Sequence, residues 1–282
     1  MSAYGLSIVT LIGINVILAL SLNLITGLCG QVSLGHAAFF GVGAYAAGLL
    51  ALAHVPFWLT LPAGMIAAGA FGVIVGFCSL RVRDDFLAIA TMAADFIFVG
   101  VLKSNESLGG EEGLSGIPLP SFGTSGLMLL AVMAALATVL LSFYVKRSWL
   151  GFAFKAVAAD DGAAQTIGID DRSFKLMAFS IGTALAGLAG GLFAYYLRSL
   201  DPGMFGFIAS VSILLMVVLG GMGSVLGCVI AAAALTLMPD ILRFAADYKL
   251  LIFGLLLFLV MRFMPQGLAG LPLLLRGRSS ET

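Results

Sequence analysis

Charge is what this sequence has least of. Only 10% of its 282 residues are Asp, Glu, Lys or Arg, and 61% are apolar, whereas a soluble domain carries roughly 25% charged residues. So few ions cannot solvate the surface of a chain this long, which excludes a soluble globular protein and predicts a polytopic membrane protein. Net charge is zero and no Lys/Arg-rich run occurs, so the basic footprint that holds nucleic acid is missing. The three cysteines, Cys29, Cys78 and Cys228, stand far apart in or beside apolar runs. With neither a CxxC pair nor a Cys/His cluster they read as unpaired small hydrophobes, and no metal site is expected. Histidine is limited to His36 and His54, so hydrolytic or transfer chemistry lacks a base in reach of a nucleophile and an orienting group. The phosphate-cradling pattern GxxxxGKS or GxxxxGKT is absent too, and ATP-driven work would need another polypeptide.

What the chain has is long apolar runs. A hydrocarbon core of about 30 Å takes about 20 residues of helix, which predicts spans at 4–26, 30–53, 57–80, 86–103, 127–145 and 174–197, and a last one near 250–266. Two shorter runs, 206–220 and 224–238, bring the total to about eight or nine crossings. Each short run gives roughly 22 Å of helix, less than a bilayer, so 206–238 either crosses twice or forms a re-entrant pair inside the bundle, where backbone irregularity is tolerated. The first run has no basic residue before it and exceeds a signal-peptide core, so it is expected to stay as a spanning helix.

Basic residues near span ends favour the cytoplasm. Arg81 and Arg83, the break 146–175, and Arg276 and Arg278 therefore belong inside, and the segment 104–126, with Glu106, Glu111 and Glu112 but no basic residue, belongs outside. Among the 36 glycines, the pairs Gly72/Gly76, Gly187/Gly191 and Gly223/Gly227 are spaced for close helix contact, though some such pairs arise by chance.

Polar residues inside the runs stand out. Asp95 lies mid-span, where a carboxylate costs about 2.5–3.5 kcal/mol on insertion scales. It should face the bundle interior, as a substrate or gating contact or as a packing acid. Gln31, Ser33 and His36 open the second predicted span, with Ser33 and His36 on one face, and a structural hydrogen bond explains His36 as well as a pathway does. Asn15, Asn23 and Thr26 fall on one stripe of the first helix, which suits interhelical hydrogen bonds or a translocation path.

The chain is organised around the break from Lys146 to Lys175. It holds five of the 14 basic residues (Lys146, Arg147, Lys155, Arg172, Lys175) and four acids (Asp160, Asp161, Asp170, Asp171). Within it Trp149, Phe152, Ala156, Ala159 and Ala163 recur at helical steps. The two readings are a short helix laid into a partner's groove and a solvated amphipathic connector.

SLNLITGLCGQVSLGHAAFFGVGAYAAGLL (21–50), LGGEEGLSGIP (108–118), VLGGMGSVLG (218–227) and MPQGLAG (264–270) resemble the motifs of LivM-type permeases of branched-chain amino acid ABC importers, in order and spacing over nearly the whole chain. The resemblance implies one all-α transmembrane permease domain over 1–282, with a BtuC-like helix arrangement, multi-pass in the bacterial inner membrane and in contact with lipid. It implies a second, LivH-like permease, two cytoplasmic ATPase subunits and a periplasmic substrate-binding protein as partners. ATP and Mg would then be bound by those ATPases and no cofactor by this chain. The coupling loop maps onto 146–175, with Phe152, Asp160, Asp161 and Gly168 implied in coupling. Asp95, Ser33 and His36 are implied along the pathway, and Gly220, Gly221 and Gly223 as hinge or cavity backbone. Two departures occur. Where many relatives have Gly-Arg-Ala and then an acid, this chain has Gly151, Phe152, Ala153, Phe154 and Lys155, and Leu108 stands where Thr is common. Permeases for urea, amides or aromatic acids have similar sequences, and the residues alone leave open an ion-coupled secondary carrier or a non-transporting scaffold.

Overall fold

In the computed structural model the described residues are 3–79, 84–120 and 122–241, with 254, 255, 258, 262, 267 and 268 beyond them. Arg81, Arg83, the predicted span at 250–266 apart from a few of its positions, and Arg276 and Arg278 lie outside them. The apolar runs become helices because lipid offers no partner to a backbone N–H or C=O, and a helix satisfies them within one segment. In order these are α1 (Ala3–Leu22), α2 (His36–Leu52), α3 (Phe57–Ser79), α4 (Asp84–Ser104), α5 (Gly123–Arg147), α6 (Trp149–Ala159), α7 (Asp161–Thr166), α8 (Asp171–Leu197), α9 (Phe207–Gly220) and α10 (Val225–Ile241). Among the described residues, five helical stretches are long and apolar enough to cross a membrane: Tyr4–Leu28, Phe57–Cys78, Phe86–Ser104, Gly123–Arg147 and Asp171–Leu197. With the shorter α2, α9 and α10 between them, the fold is an all-α polytopic bundle.

α8 forms its centre, packed on α1, α2 and α3, and α1 and α2 are buried beside it. α3, α4 and α5 are mostly exposed, with Ile66, Ile97 and Leu140 each more than 60% accessible, as lipid-facing helices should be. Two of the predicted glycine pairs do what the spacing suggested. Gly72 and Gly76 lie against Thr183 and Phe179 of α8, and Gly187 and Gly191 of α8 lie against Gly64 and Leu61 of α3.

The two ends of the bundle differ chemically. At one, β1 (Leu114–Ser115) pairs antiparallel with β2 (Ser199–Leu200), Arg198 Nε donates to Ile117 O at 3.3 Å, and Phe57 packs on Phe122 and Tyr195. Glu106, Glu111 and Glu112 belong to this end. At the other lie α6, α7 and, reached by Lys146, the turn between α9 and α10, with five of the 14 basic residues. α9 follows directly from β2 and a short 3-10 turn (Pro202–Phe205) and reaches the basic end of the bundle at Gly220. α10 returns along α1, since Gly223 bonds Asn23 and Thr236 bonds Asn15.

Three sequence expectations change. The second span begins at His36 rather than residue 30, because Gly30 takes a left-handed φ of +75° and side chains of other helices replace the missing helical bonds. Leu34 N donates to Thr91 Oγ1 at 3.0 Å, and at Gly35 a methyl group would lie 1.8 Å from Thr91 O. Ser33 therefore precedes the helix and shares no helical face with His36. Secondly, α1 ends in a π-helical turn, Asn23–Leu28, so Asn15, Asn23 and Thr26 form no single stripe. Each bonds elsewhere, Asn15 to Thr236 (2.8 Å), Asn23 to Gly223 N (2.8 Å) and Thr26 to Gln31 O (2.9 Å). Lastly, Gly223 sits in a turn at φ +78°, so Gly223 and Gly227 are no helix face.

Candidate functional site

α5 runs basic to its end at Lys146 and Arg147, and the chain then bends at Ser148, whose hydroxyl donates to Val145 O at 2.8 Å. α6 lies against the bundle through buried Gly151, Ala153, Phe154 and Val157, with Trp149 and Phe154 edge-on to Phe174 of α8. Its other face is bare: Trp149 is 68% and Phe152 63% exposed, and the Lys155 ammonium lies 5.9 Å from the Phe152 ring centroid. An exposed aromatic pair beside a cation, at the polar end of a membrane bundle, has the chemistry of an interface anchor.

The predicted single apolar helix is in fact two, because Asp160 turns to an extended backbone and caps α7, its Oδ1 accepting from Ala163 N at 3.0 Å. Ala163 thus belongs to a separate helix, and Ala156 is only half-buried on the first. Asp161 is ion-paired with the buried Lys175 of α8. Both acids therefore have partners inside this chain. Gly168 ends α7 with φ +84°, its N–H donating to Gln165 O at 3.0 Å, which is the left-handed glycine that closes many helices. Beside it Ile167 is 72% exposed. Asp170 opens α8, and the hydrogen bond donated by Ser173 is the main reason its carboxyl sits below the usual carboxylate range.

Asp95, Ser33 and His36 gather around the first turn of α2 and are all fully buried. His36 Nε2 lies 2.7 Å from Ser21 Oγ, which itself donates to Leu18 O. The ring must then donate through Nε2, leaving Nδ1 a lone pair with no partner. Ser33 Oγ and both carboxylate oxygens of Asp95 also lack hydrogen-bond partners. The three are neighbours in depth but not bonded to one another, and none lines the cavities described here.

One such cavity does run along spanning helices. A groove of about 450 Å³ is walled by α1, α9 and α10, apolar at Leu11, Ile14, Ile213 and Met216 and polar at Asn15 and Thr236. A second, of about 210 Å³, separates Cys29–Gln31 from the α6–α7 junction. At the basic end Gly220 packs on Cys228, Gly221 and Gly223 take left-handed φ of +95° and +78°, and Lys146 Nζ donates to Gly223 O at 2.7 Å. Sequence reasoning missed Lys146 and Asn23 as partners of this turn. They are 77 and 200 residues from it, and no local pattern marks such a contact.

The family described as branched-chain amino acid transport system / permease component matches residues 4–261. The chain belongs to that family. Among curated permeases, the high-affinity branched-chain amino acid transport system permease protein LivM of Escherichia coli K12 is 35% identical, over 93% of this chain and 69% of LivM. LivH of the same strain is 27% identical over 94% of both chains, and BraD of Pseudomonas aeruginosa 27% over 91% of both. Among solved structures, PsaBC from Streptococcus pneumoniae in complex with Fab has a TM-score of 0.52 at 16% identity, covering 97% of this chain and 95% of that one. That last likeness is one of fold. The permease is thus a multi-pass membrane protein of a transport system built from several subunits.

Proposed function

We propose that this chain is the membrane-spanning permease of an ATP-binding-cassette importer that carries branched-chain, or related hydrophobic, amino acids across the bacterial inner membrane. The family match over residues 4–261 carries the reading. The bare aromatic face of α6 supports it, since it offers a handle to cytoplasmic ATPases that would supply ATP and Mg, and a largely apolar groove with an asparagine suits an aliphatic amino acid. A second, LivH-like permease completes the path, and a periplasmic binding protein delivers substrate. Phe152 and the Gly168 turn make the outward contact with an ATPase, while Asp160 and Asp161 hold the handle's shape. Reconstituting the chain with its partner permease, the ATPases and the binding protein tests this. Labelled leucine should enter vesicles only with ATP and binding protein present. Uptake by the chain alone, driven by an ion gradient, would mean a secondary carrier, and preferential competition by urea, amides or aromatic acids would move the substrate.

Asp95 belongs to the pathway in this reading, through a rearrangement that exposes it. Its unpartnered carboxyl contributes nothing that asparagine would lose in the resting fold, so Asp95→Asn should reach the membrane at normal level. Uptake should fall about ten- to a hundredfold, the worth of one charge-assisted hydrogen bond. Unaltered transport by Asp95→Asn across the pH range would make it a packing residue.

A further inference from the structure

The turn joining α9 to α10 is held by its peptide bonds rather than by its side chains. Gly223 N donates to Asn23 Oδ1 at 2.8 Å, and Gly223 O accepts from Lys146 Nζ at 2.7 Å. Both backbone polar groups of one residue are thus taken by side chains of two other elements. Asn23 is the first residue of the π-helical turn that ends α1, a kind of turn that concentrates at functional sites in helices. Lys146 lies in the last turn of α5, two residues before the bend at Ser148 where α6 begins.

The backbone approach is equally close. A methyl group on Gly27, in the same π turn, would lie 2.3 Å from Gly223 N, and one on Gly267 would lie 2.4 Å from Gly221 N. Nothing larger than glycine fits between the turn and α1. The far end of α6 also touches the bundle. A methyl on Gly30, where the unwound segment before α2 begins, would meet the Ala158 side chain at 3.0 Å. Any movement of the α5–α6 corner therefore bears on the bundle at two points, at Gly30 through contact with Ala158 of α6 and at Gly223 through Lys146 of α5.

A capping role alone explains this geometry only in part. An ammonium near the C-terminal end of α9 is favourable to that helix, but capping gives no reason for Asn23 to hold the opposite side of the same residue across α1. We propose that Lys146 and Asn23 are positioning residues of the transport cycle: by gripping Gly223 from two sides they make the α9–α10 turn, and with it one wall of the groove, follow the movement of the α5–α6 corner. This inference rests on the importer reading above.

The test uses the full complex in vesicles and measures leucine uptake and ATP hydrolysis together. Lys146→Met keeps the stem and loses the donor, and Asn23→Leu keeps the bulk and loses the acceptor. Each should raise the ATP consumed per leucine imported by about tenfold, the effect of one lost charge-assisted or buried hydrogen bond, with hydrolysis itself within about twofold of the parent. Lys146→Arg and Asn23→Asp, which keep donor and acceptor, should restore most of the ratio. Because both act on one residue, the double variant should be little worse than either single one. An unchanged ratio in Lys146→Met overturns the proposal, and so do uptake and hydrolysis falling in step with the amount of assembled complex, or equal impairment by Met and Arg. The parent complex separates a failed importer reading from a failed grip. If it moves no leucine the importer reading fails, whereas if it does and Lys146→Met is normal, only the grip on Gly223 is wrong.

Discussion

Leucine in place of Gly187 should leave no folded permease in the membrane. Gly187 is where α2, α3 and α8 meet backbone to backbone: its own added methyl would lie 2.5 Å from both Gly64 O and the Ala68 side chain, and one on Gly43 would lie 2.3 Å from Gly187 Cα. Helices in lipid are held chiefly by such packing, because burying apolar surface against a neighbour gains little over burying it in acyl chains. Overfilling a tight interior costs about 1–3 kcal/mol when side chains can shift. Here the obstructing atoms on α3 include backbone, so even Gly187→Ala should lose about that much. Leucine should push three helices apart. Membrane abundance and thermal unfolding in mild detergent measure it, with Gly100→Leu as the control, since an exposed Gly100 has nothing within 4 Å of an added methyl. Equal abundance of the Gly187 and Gly100 variants would show that the three helices do not depend on this contact.

Gly168→Pro should have the opposite profile, with normal insertion and lost coupling. Gly168 is exposed, has open space where a side chain would go, and contributes nothing to the helix core. Its φ of +84° is closed to proline, whose ring fixes φ near −65°, and its N–H is needed by Gln165 O. The substitution should unwind the end of α7 and misplace Ile167, the most exposed large apolar residue of the handle. Vesicle uptake should then fall at least about tenfold while the complex still hydrolyses ATP, as loss of a contact worth a few kcal/mol would produce. Asparagine tolerates a left-handed backbone, so Gly168→Asn should keep most of the uptake. Full uptake by the proline variant would remove this turn from the coupling path.

Much of this architecture is legible in the sequence because lipid leaves a chain so few options. Runs such as 57–80 and 174–197 had to be helices, and Phe57–Ser79 and Asp171–Leu197 follow within a few residues. The unwound segment before His36 was harder to see. Hydropathy passes smoothly over GQVSLGHAA, although Gly30 and Gly35 bracketing Gln31 and Ser33 are a local hint. The break at Asp160 was also readable in principle, as an acid three residues before the amide it caps. Burial of Asp95 followed from its mid-span position alone. The grip on Gly223 did not, since it depends on where three distant segments come to rest.

The wide turn at Asn23–Leu28 has a consequence for the rest of α1. Such a turn takes up one residue more than an α-helical turn, and one residue is about 100° of rotation. The body of α1 before it, where Gly13 meets Ala131 of α5 and Asn15 meets Thr236 of α10, is therefore out of phase with the far end of the turn itself, where Gly27 meets Gly223. The tip of the rod is thus aimed differently from its shaft, and the change of aim begins where Asn23 reaches Gly223.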